Sequence, residues 1–318
     1  MTDGALLINK HAGISSFDVI RILQEELIKQ NNVKKRDLPK LGHCGTLDPF
    51  ATGLLAVCVG KAVKLAQYFL GAFKSYEGVI LFGKTTVPGD PTAPVSETRE
   101  QLPESLQELQ TMALKWTKQA YMQTPPMHSA KKINGQKLYE LARKGIEIER
   151  QPKLCQLYRF EITEYDKPTA KFVLTCSSGT YIRTLAQDFA RFFDTVGMLE
   201  SLTRTAIGYF ELKNAYTAQQ IRNAMSEGKS FKDFSCFIPF DEILKNYDQA
   251  EVSTDEVKEI AQGNQKILFQ ILKRITKPKE ISNSFSPPEN LIALFHKTKL
   301  IAVVRQQDYK WLIEKVFV

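Results

Sequence analysis

One segment constrains this chain more than any other: residues 41–60, LGHCGTLDPFATGLLAVCVG. The apolar run Leu54 to Val59 predicts a buried strand, and the glycines and proline around it mark a sharply shaped loop. Asp48 stands on that loop and is the only acid within ten residues on either side. A lone carboxylate held on a stiff loop against a buried strand suits a nucleophile or a base. The alternative is an aspartate that caps the turn before Pro49, which is a common role.

The composition is that of an ordinary globular protein with an excess of basic residues. Hydrophobic residues make up 43% of the 318 residues, enough for one large domain and a small one. Lys and Arg number 43 against 35 Asp and Glu, which gives a net charge of +8. This excess favours a polyanionic partner, most simply nucleic acid, but charge alone fits a merely soluble basic protein equally well.

Cysteine and apolar patterns predict a cytoplasmic protein with no metal site and no membrane span. The five cysteines include no Cys-x-x-Cys pair, and free thiols without a pattern fit a reducing cytosol. His43 and Cys44 are adjacent potential ligands, but no second pair accompanies them, so no metal is expected. No apolar stretch reaches membrane-spanning length, and the N-terminus lacks the basic start and long apolar stretch of a signal peptide.

Strand and helix patterns alternate irregularly along the chain, which favours an α+β fold. Residues 74–83, KSYEGVILFG, are typical of a strand. Ser15 and Asp18 predict a capping box that opens a helix running to about Lys29. A domain boundary is expected between residues 245 and 246, and the small region beyond it contains a predicted β-hairpin.

Two residues far from Asp48 can take part in a site with it. Arg183 follows a Ser-Ser-Gly turn and lies in the first turn of a predicted helix, where it can pair with a carboxylate or grip phosphate. A surface arginine is the alternative. Tyr76 lies on the predicted strand 74–83, where either a pocket or core packing would suit it.

Residues 121–150 form an unusual segment that is rich in basic residues and also contains aromatic residues and a diproline. The cations singled out there are Lys131, Lys132, Lys137 and Arg143. Basic and aromatic side chains on a partly irregular segment suit the backbone and exposed bases of a folded RNA. A solvated helix face is the alternative, because charge runs usually are that.

Together these segments resemble one family, the TruB-type tRNA pseudouridine synthases. GHCGTLDPFATGLL is similar to the family pattern G-H-x-G-T-L-D-P-x-A-x-G-L-L. The resemblance extends in family order from about residue 4 to 210, through KSYEGVILFG, TPPMHSAKKINGQKLYELARKGIEIER, CSSGTYIRTLAQDFA and LTRTAIGYF. Two stretches depart from the family: D-K-P-x-G-x-[ST]-S is replaced by NKHAGISS, and L-R-R-T by LTRT.

The resemblance implies an α+β pseudouridine synthase fold, with a central mixed, largely antiparallel sheet flanked by helices. Residues 1–245 would be the catalytic domain, with an RNA-gripping insertion at about 121–150. Residues 246–318 resemble, more weakly, a small β-rich PUA-like RNA-binding domain.

The implied activity is isomerisation of a uridine to pseudouridine in the T-loop of tRNA, at position 55. The N-glycosidic bond breaks, the base rotates, and C5 of the base joins C1′ of the ribose. This reaction is redox-neutral and uses no group donor, so no cofactor is expected. The expected partner is the T-arm of tRNA, bound by a monomer in the cytoplasm.

The resemblance also assigns roles to individual residues. Asp48 is expected to be the nucleophile, Arg183 its charged partner, and Tyr76 the ring that stacks on the flipped uracil and relays a proton. Three first steps remain open for Asp48: addition to the base, attack on the sugar, or removal of a ribose proton. Further RNA contacts are expected from His43, which would enter the gap in the RNA stack, and from Lys10, Lys131, Lys132, Lys137, Arg143, Tyr181, Leu202 and Arg204. Leu202 also fits a core role.

Two other classes of protein remain as rivals. A non-catalytic RNA-binding protein would keep the basic surface but would not need Asp48, Tyr76 and Arg183 together. A hydrolase with an aspartate nucleophile, such as a glycosidase, requires a second acid nearby, and the Asp48 loop supplies none.

Overall fold

The structure is a computed structural model, and it describes residues 3–129, 132–133, 135–276 and 290–317. Up to residue 245 the strands are β1 (Gly4–Lys10), β2 (Leu41–His43), β3 (Thr52–Val59), β4 (Lys74–Phe82), β5 (Lys84–Thr86), β6 (Val95–Thr98), β7 (Tyr121–Gln123), β8 (Lys132–Ile133), β9 (Gln136–Lys137), β10 (Lys153–Cys155), β11 (Leu157–Asp166), β12 (Thr169–Cys176), β13 (Gly197–Ile207), β14 (Phe210–Glu211), β15 (Tyr216–Thr217) and β16 (Phe237–Pro239). The helices there are α1 (Ser16–Asn31), α2 (Ala66–Gly71), α3 (Leu106–Thr117), α4 (Leu138–Arg143), α5 (Ile182–Arg191) and α6 (Ala218–Ser226).

The C-terminal part adds a smaller set of elements. These are β17 (Asp248–Glu251), α7 (Thr254–Ala261), α8 (Leu268–Ile271), β18 (Leu291–His296), β19 (Lys299–Gln307) and β20 (Lys310–Val316). The predicted hairpin is confirmed, since β18 and β19 pair antiparallel across a short turn.

A ten-stranded sheet forms the centre of the molecule. Its main path runs β11-β12-β4-β13-β3-β1-β15, with β14, β16 and β2 paired to strands of that path. The pairs β13–β3 and β1–β15 are parallel, and the other pairs of this sheet are antiparallel. The prediction of a mixed, largely antiparallel sheet is therefore confirmed. Because β13 lies between β4 and β3 in the sheet, residues from distant parts of the chain lie side by side there.

Helices cover this sheet, and local sequence sets where they begin. The predicted capping box is present: Ser15 accepts from the backbone N–H of Asp18, and Asp18 accepts from the backbone N–H of Ser15. The apolar residues Val19, Leu23 and Leu27 of α1 are buried, as helical spacing requires. Helices α5 and α3 lie along β13 and β11, respectively.

A second sheet of four strands, ordered β17-β18-β19-β20, forms a small C-terminal β domain. The side chains of its central strands point alternately into two cores, because successive side chains of a strand point to opposite faces. Ala293 and Val303 join the core of the main sheet, whereas Leu294 and Val304 pack in a separate core with α7 and α8. Within the described part of the chain, no helix is long and apolar enough to cross a membrane.

Candidate functional site

Asp48 and Arg183 lie in direct contact, although 135 residues separate them in the chain. The Arg183 Nε donates to Asp48 Oδ2 at 2.8 Å, and a terminal guanidinium nitrogen donates to Oδ1 at 3.4 Å. The Arg183 side chain is 6% exposed, whereas that of Asp48 is 35% exposed. This two-point contact fixes the direction of the carboxylate and leaves it open on one side.

The rest of the Arg183 guanidinium is held from three further directions. It donates to the backbone carbonyls of Pro88 and His128, each at 2.8 Å, and lies 3.5 Å from the carboxylate of Asp90. An arginine fixed on all sides cannot swing away from Asp48. The site is therefore assembled from the Asp48 loop, the loop around Asp90 and the base of the 121–150 segment.

The start of α5 sets the position of Arg183. Tyr181 occupies the N-cap of this helix, and its side chain does not cap it. Instead the buried Gln123 accepts from the Tyr181 N–H at 2.8 Å and donates to the Tyr181 carbonyl at 2.9 Å. A side chain of β7 thereby holds both backbone groups of the N-cap residue and fixes the start of the helix turn that carries Arg183.

The Asp48 loop is shaped by a close approach of two backbones. Gly53 has φ of +103°, and a Cβ at this position would lie 2.4 Å from the carbonyl oxygen of Arg204. Only glycine fits there, because the parallel pairing of Gly53 with Arg204 leaves no room for a side chain. The end of the loop is thus pressed against β13 at the first residues of β3.

A cavity of about 670 Å³ opens in front of Asp48. Its size lies within the usual range for ligand pockets. The lining residues are Ser15, Gly45, Thr46, Leu47, Asp48, Pro49, Leu70, Lys74, Tyr76, His128, Ser129, Ser177, Gly179, Thr180, Tyr181, Ile182, Arg183, Leu202 and Arg204. The structure therefore brings Asp48, Tyr76, Arg183, Tyr181 and Leu202 around one pocket.

Tyr76 supplies an aromatic wall of this pocket. Its side chain is 8% exposed, and burial raises the pKa of the Tyr76 phenol to about 12 although the nearby Arg204 lowers it. The phenol is therefore protonated at neutral pH, and the ring is uncharged. An uncharged aromatic face is suited to stacking on a base.

Lys10 and Arg204 are in different places from those expected of RNA contacts. They are 1% and 2% exposed, so both charges are largely buried in the free protein. Lys10 donates to the carbonyls of His11, Ile14 and Pro49, and Arg204 to those of Gly45, Thr46 and Leu54. In the free protein both side chains brace the Asp48 loop, and Arg204 also lines the pocket; direct RNA contact by either residue stays a prediction. Their positive charges were visible in the sequence, but their burial was not.

His43 lies on β2 beside the pocket and is not among the residues that line it. Burial, and then the charge of Arg204, lower the pKa of its imidazole. The ring is therefore neutral at neutral pH. Its Nδ1 is buried and has no hydrogen-bond partner.

The cations of the 121–150 segment are only partly covered by the structure. Lys131 lies outside the described residues. Lys132 and Lys137 lie opposite each other in the β8–β9 pair, and Arg143 ends α4. The structure describes the backbone of these three residues but not their side chains.

Asp90, which was not predicted as a site residue, is a second carboxylate beside Arg183. Its side chain is 6% exposed and accepts hydrogen bonds from the backbone N–H and the hydroxyl of Thr92. The signal was available, since Gly89-Asp90-Pro91 frames an acid with glycine and proline much as the Asp48 loop does. Asp90 does not line the pocket, so it is not the exposed second acid that a glycosidase needs.

Lys74 was also missed, although it begins the strand that carries Tyr76. Its ammonium donates to the carbonyls of Phe69, Leu70 and Ala72, at 3.0, 2.6 and 2.6 Å. These bonds cap the end of α2 and hold Leu70 in the pocket wall. Burial lowers the pKa of Lys74 to about 7, with a further lowering by Arg204.

No group of three or more His, Cys, Asp or Glu side chains that could hold a metal occurs among the described residues. The charged groups of the pocket are instead engaged with one another and with backbone carbonyls. The arrangement can hold an ionised carboxylate at a fixed angle next to an aromatic face.

Comparison with known sequences gives a consistent result. Residues 31–182 match the sequence model described as the TruB family pseudouridylate synthase (N terminal domain). A tRNA pseudouridine synthase B from Endomicrobium trichonymphae is 40% identical over 67% of this chain and 88% of its own length. One from Streptococcus pyogenes serotype M2 (strain MGAS10270) is 32% identical over the full length of both chains.

Comparison with solved structures supports the same fold. A chain from the structure of an H/ACA RNP bound to a substrate RNA containing 2′-deoxyuridine aligns with a TM-score of 0.67. That alignment covers 99% of this chain and 85% of the other, at 17% identity. A chain of a Cbf5-Nop10-Gar1 complex aligns with a TM-score of 0.66 at 18% identity.

Proposed function

We propose that this chain, which belongs to the TruB family of pseudouridylate synthases, acts on uridine 55 in the T-loop of tRNA and uses Asp48 as its catalytic carboxylate. The chain isomerises uridine to pseudouridine in tRNA, as family membership establishes. The position in tRNA and the residue roles are the proposal. The observation that carries it is the Asp48–Arg183 pair, open on one side to a pocket with Tyr76 in its wall.

The chemistry requires a carboxylate that stays ionised while the glycosidic bond changes. The N1–C1′ bond breaks, the base turns, and the C5–C1′ bond forms. The proton on C5 is lost to solvent and N1 takes up a proton, so atoms and charge balance without a cofactor. Arg183 pairs with the Asp48 carboxylate at two points and fixes its direction. The three first steps open to Asp48 all need this same fixed carboxylate.

The target base must leave the folded T-loop to reach this pocket. Extrusion of a base costs roughly a few kcal/mol. Stacking on Tyr76, at about 1–3 kcal/mol for a base on an aromatic ring, offsets much of that cost. Leu202 and Tyr181 would complete the walls around the base. A neutral His43 beside the pocket would fill the gap left in the RNA stack.

Lys10 and Arg204 take positioning roles in this proposal. Both hold carbonyls of the segment around Asp48, so they set the distance between the carboxylate and the pocket. Direct RNA contacts of the catalytic part are assigned instead to Lys131, Lys132, Lys137 and Arg143. Affinity based on such cations should fall as the salt concentration rises.

The C-terminal domain is proposed to begin near residue 246 and to bind RNA in the manner of a PUA-like domain. Exposed lysines at positions 297, 299 and 310 support this role. Charge reversal at Lys299 and Lys310 should weaken the affinity for tRNA more than it slows the reaction of tRNA that is already bound. Reversal of the exposed Lys232, in the catalytic part, serves as the matched control. Equal effects of both changes would contradict the role.

The chain is further proposed to work as a monomer in the cytoplasm, on the T-arm of tRNA and without a cofactor. Asp48, Arg183 and Tyr76 all come from one chain, so the pocket is complete without a second copy. A tRNA substrate supports a cytoplasmic location.

Pseudouridine mapping of tRNA after incubation with the purified protein tests the proposed target. The expected result is one new pseudouridine, at position 55 of the T-loop. A tRNA with cytidine at that position should remain unmodified. Modification at another uridine would contradict the proposed position, and free uracil with an abasic site would contradict the isomerase chemistry.

A further inference from the structure

Ser129 contributes a buried hydroxyl with no partner to the wall of the active-site pocket. The residue is 5% exposed, and it lines the cavity that contains Asp48 and Tyr76. Its Oγ makes no hydrogen bond to any residue that the structure describes. An unsatisfied buried hydroxyl costs about 1–3 kcal/mol. Such a cost at a pocket calls for a partner that arrives with the ligand.

Several other polar side chains of the pocket are engaged within the protein. Among the hydroxyls, Ser15 donates to Asp18, Thr180 donates to the carbonyl of Ser177, and Ser177 accepts from the backbone of Gln156. Lys74 and Arg204 donate to backbone carbonyls. Ser129 is therefore a buried hydroxyl of the pocket wall that has no partner among the described residues and keeps hydrogen-bonding capacity for a ligand.

The backbone around Ser129 is fixed to the catalytic pair. Arg183 holds the carbonyl of His128, the preceding residue, at 2.8 Å. The Ser129 N–H donates to the carbonyl of Met127 at 2.9 Å, which tightens the turn. The hydroxyl is thus carried by a short turn tied to the same guanidinium that orients Asp48. A group placed in this way keeps a constant position relative to the carboxylate.

We infer that the Ser129 hydroxyl donates a hydrogen bond to a carbonyl oxygen of the flipped uracil. This inference rests on the proposed function and adds a residue that fixes the base within the pocket. In the proposed pocket Tyr76 and Leu202 offer faces to the base, whereas Ser129 offers a donor to its edge. Uracil presents two carbonyl oxygens, and a serine hydroxyl can donate to either. The Ser129 Oγ is closed to solvent in the free protein, so the inference requires the side chain to rotate to another staggered position when the base enters.

A double-substitution experiment tests the contact. C5-tritiated T-arm RNAs carry uridine, 2-thiouridine or 4-thiouridine at the target position, and tritium release is measured for wild type and Ser129→Ala. With uridine, Ser129→Ala should lower kcat/KM about tenfold, the effect of one hydrogen bond. In one of the two thio-RNAs, sulfur replaces the oxygen that Ser129 contacts. With that RNA, wild type and Ser129→Ala should have the same kcat/KM, because sulfur is a poor acceptor and the wild-type protein has already lost the hydrogen bond.

Thr195→Val is the matched control. Thr195 is 2% exposed, has an unpartnered hydroxyl and does not line the pocket. Its replacement should leave tritium release within about twofold of wild type. Neither Thr195→Val nor Ser129→Ala breaks a hydrogen bond of the free protein, so neither should lower the melting temperature.

Three results would overturn the inference. The first is a Ser129→Ala rate within about twofold of wild type, since one hydrogen bond is worth about tenfold. The second is an equal loss with all three RNAs. The third is a lower melting temperature that accounts for the lost activity, which would make the role structural. A wild-type protein that releases no tritium from the uridine RNA would instead refute the proposed target, and this inference with it.

Discussion

Asp48 and Asp90 stand on similar loops, on two sides of the same arginine, yet they face different surroundings. Each acid is followed by proline and has glycines nearby. The side chain of Asp48 is 35% exposed and opens into the pocket, whereas that of Asp90 is 6% exposed and is bound by Thr92. Arg183 contacts both, at 2.8 Å to Asp48 and 3.5 Å to Asp90.

The difference shows how one guanidinium serves two carboxylates. Asp48 keeps an open side, so it can approach a substrate. Asp90 has no open side toward the pocket, so its charge acts only on Arg183. A buried arginine needs compensation for its charge, and Asp90 supplies part of it. In the proposed mechanism Asp48 would then change its bonding during the reaction while Arg183 stays in place.

Of the substitutions that test this comparison, Asp48→Asn should cause the largest loss of activity. The amide has the same size but carries no negative charge, so tritium release from C5 should fall by at least about 10³-fold. Affinity for T-arm RNA should change little, because the pocket keeps its shape. Asp37→Asn, at an exposed acid away from the pocket, should behave as wild type. Near-normal turnover of Asp48→Asn would refute its catalytic role.

Arg183→Lys should have the next largest effect. A lysine keeps the charge but cannot contact Asp48 at two points and hold the carbonyls of Pro88 and His128 as well. The expected loss in kcat is about 10²-fold in single-turnover assays. Arg191→Lys, at an exposed position on the same helix, is the control and should change kcat little. A mild effect at Arg183 would mean that charge alone suffices.

Asp90→Asn should have a smaller effect that separates the two acids. The amide oxygen can still accept from Thr92, but the compensating charge next to Arg183 is lost. The expected result is a drop in kcat of about tenfold with little change in KM, since Asp90 does not reach the substrate. Asp166→Asn, at an exposed site, serves as the comparison. A loss as large as that of Asp48→Asn would give Asp90 a direct role in the chemistry.

The smallest expected effect concerns Lys10 and the pH dependence of the free energy of unfolding. Burial lowers the pKa of Lys10 to about 8 in the folded protein, although the charge of Asp48 opposes this shift. The unfolded chain therefore binds more protons between about pH 8 and 10, so the free energy of unfolding should rise with pH there. The slope from one such group is at most about 1.4 kcal/mol per pH unit.

Urea unfolding at pH 8 and pH 9.5 measures this slope for wild type and Lys10→Met. The variant loses bonds to three carbonyls and should be less stable at both values. Its stability should nevertheless rise less between them. Lys29→Met, at an exposed position on α1, should leave the slope unchanged. Parallel slopes for wild type and Lys10→Met would contradict the lowered pKa of Lys10.

Much of the fold and part of the site could be predicted from local patterns. The Ser15 capping box, the strand that carries Tyr76 and the C-terminal hairpin follow from periodicity and turn chemistry, and each is present. The family resemblance supplied the pairing of Asp48 with Arg183, and the structure places them in contact. The Gly-Asp-Pro frame of Asp90 marks an acid on a turn, but nothing local indicates that an arginine 93 positions away lies beside it.

The sequence by itself determined which residues could do chemistry: one acid on a stiff loop, an aromatic on a strand and an arginine at a helix start. It also determined the local turns, since glycine and proline act through their own backbone geometry. Only the tertiary structure decided which charges face the pocket and which lie beneath it. Lys10, Arg204 and Asp90 are buried by strands and loops distant in the chain, and burial depends on the packing of the whole sheet. Asp48 keeps an open face for the same reason, because the segments that surround Arg183 stop short of covering it.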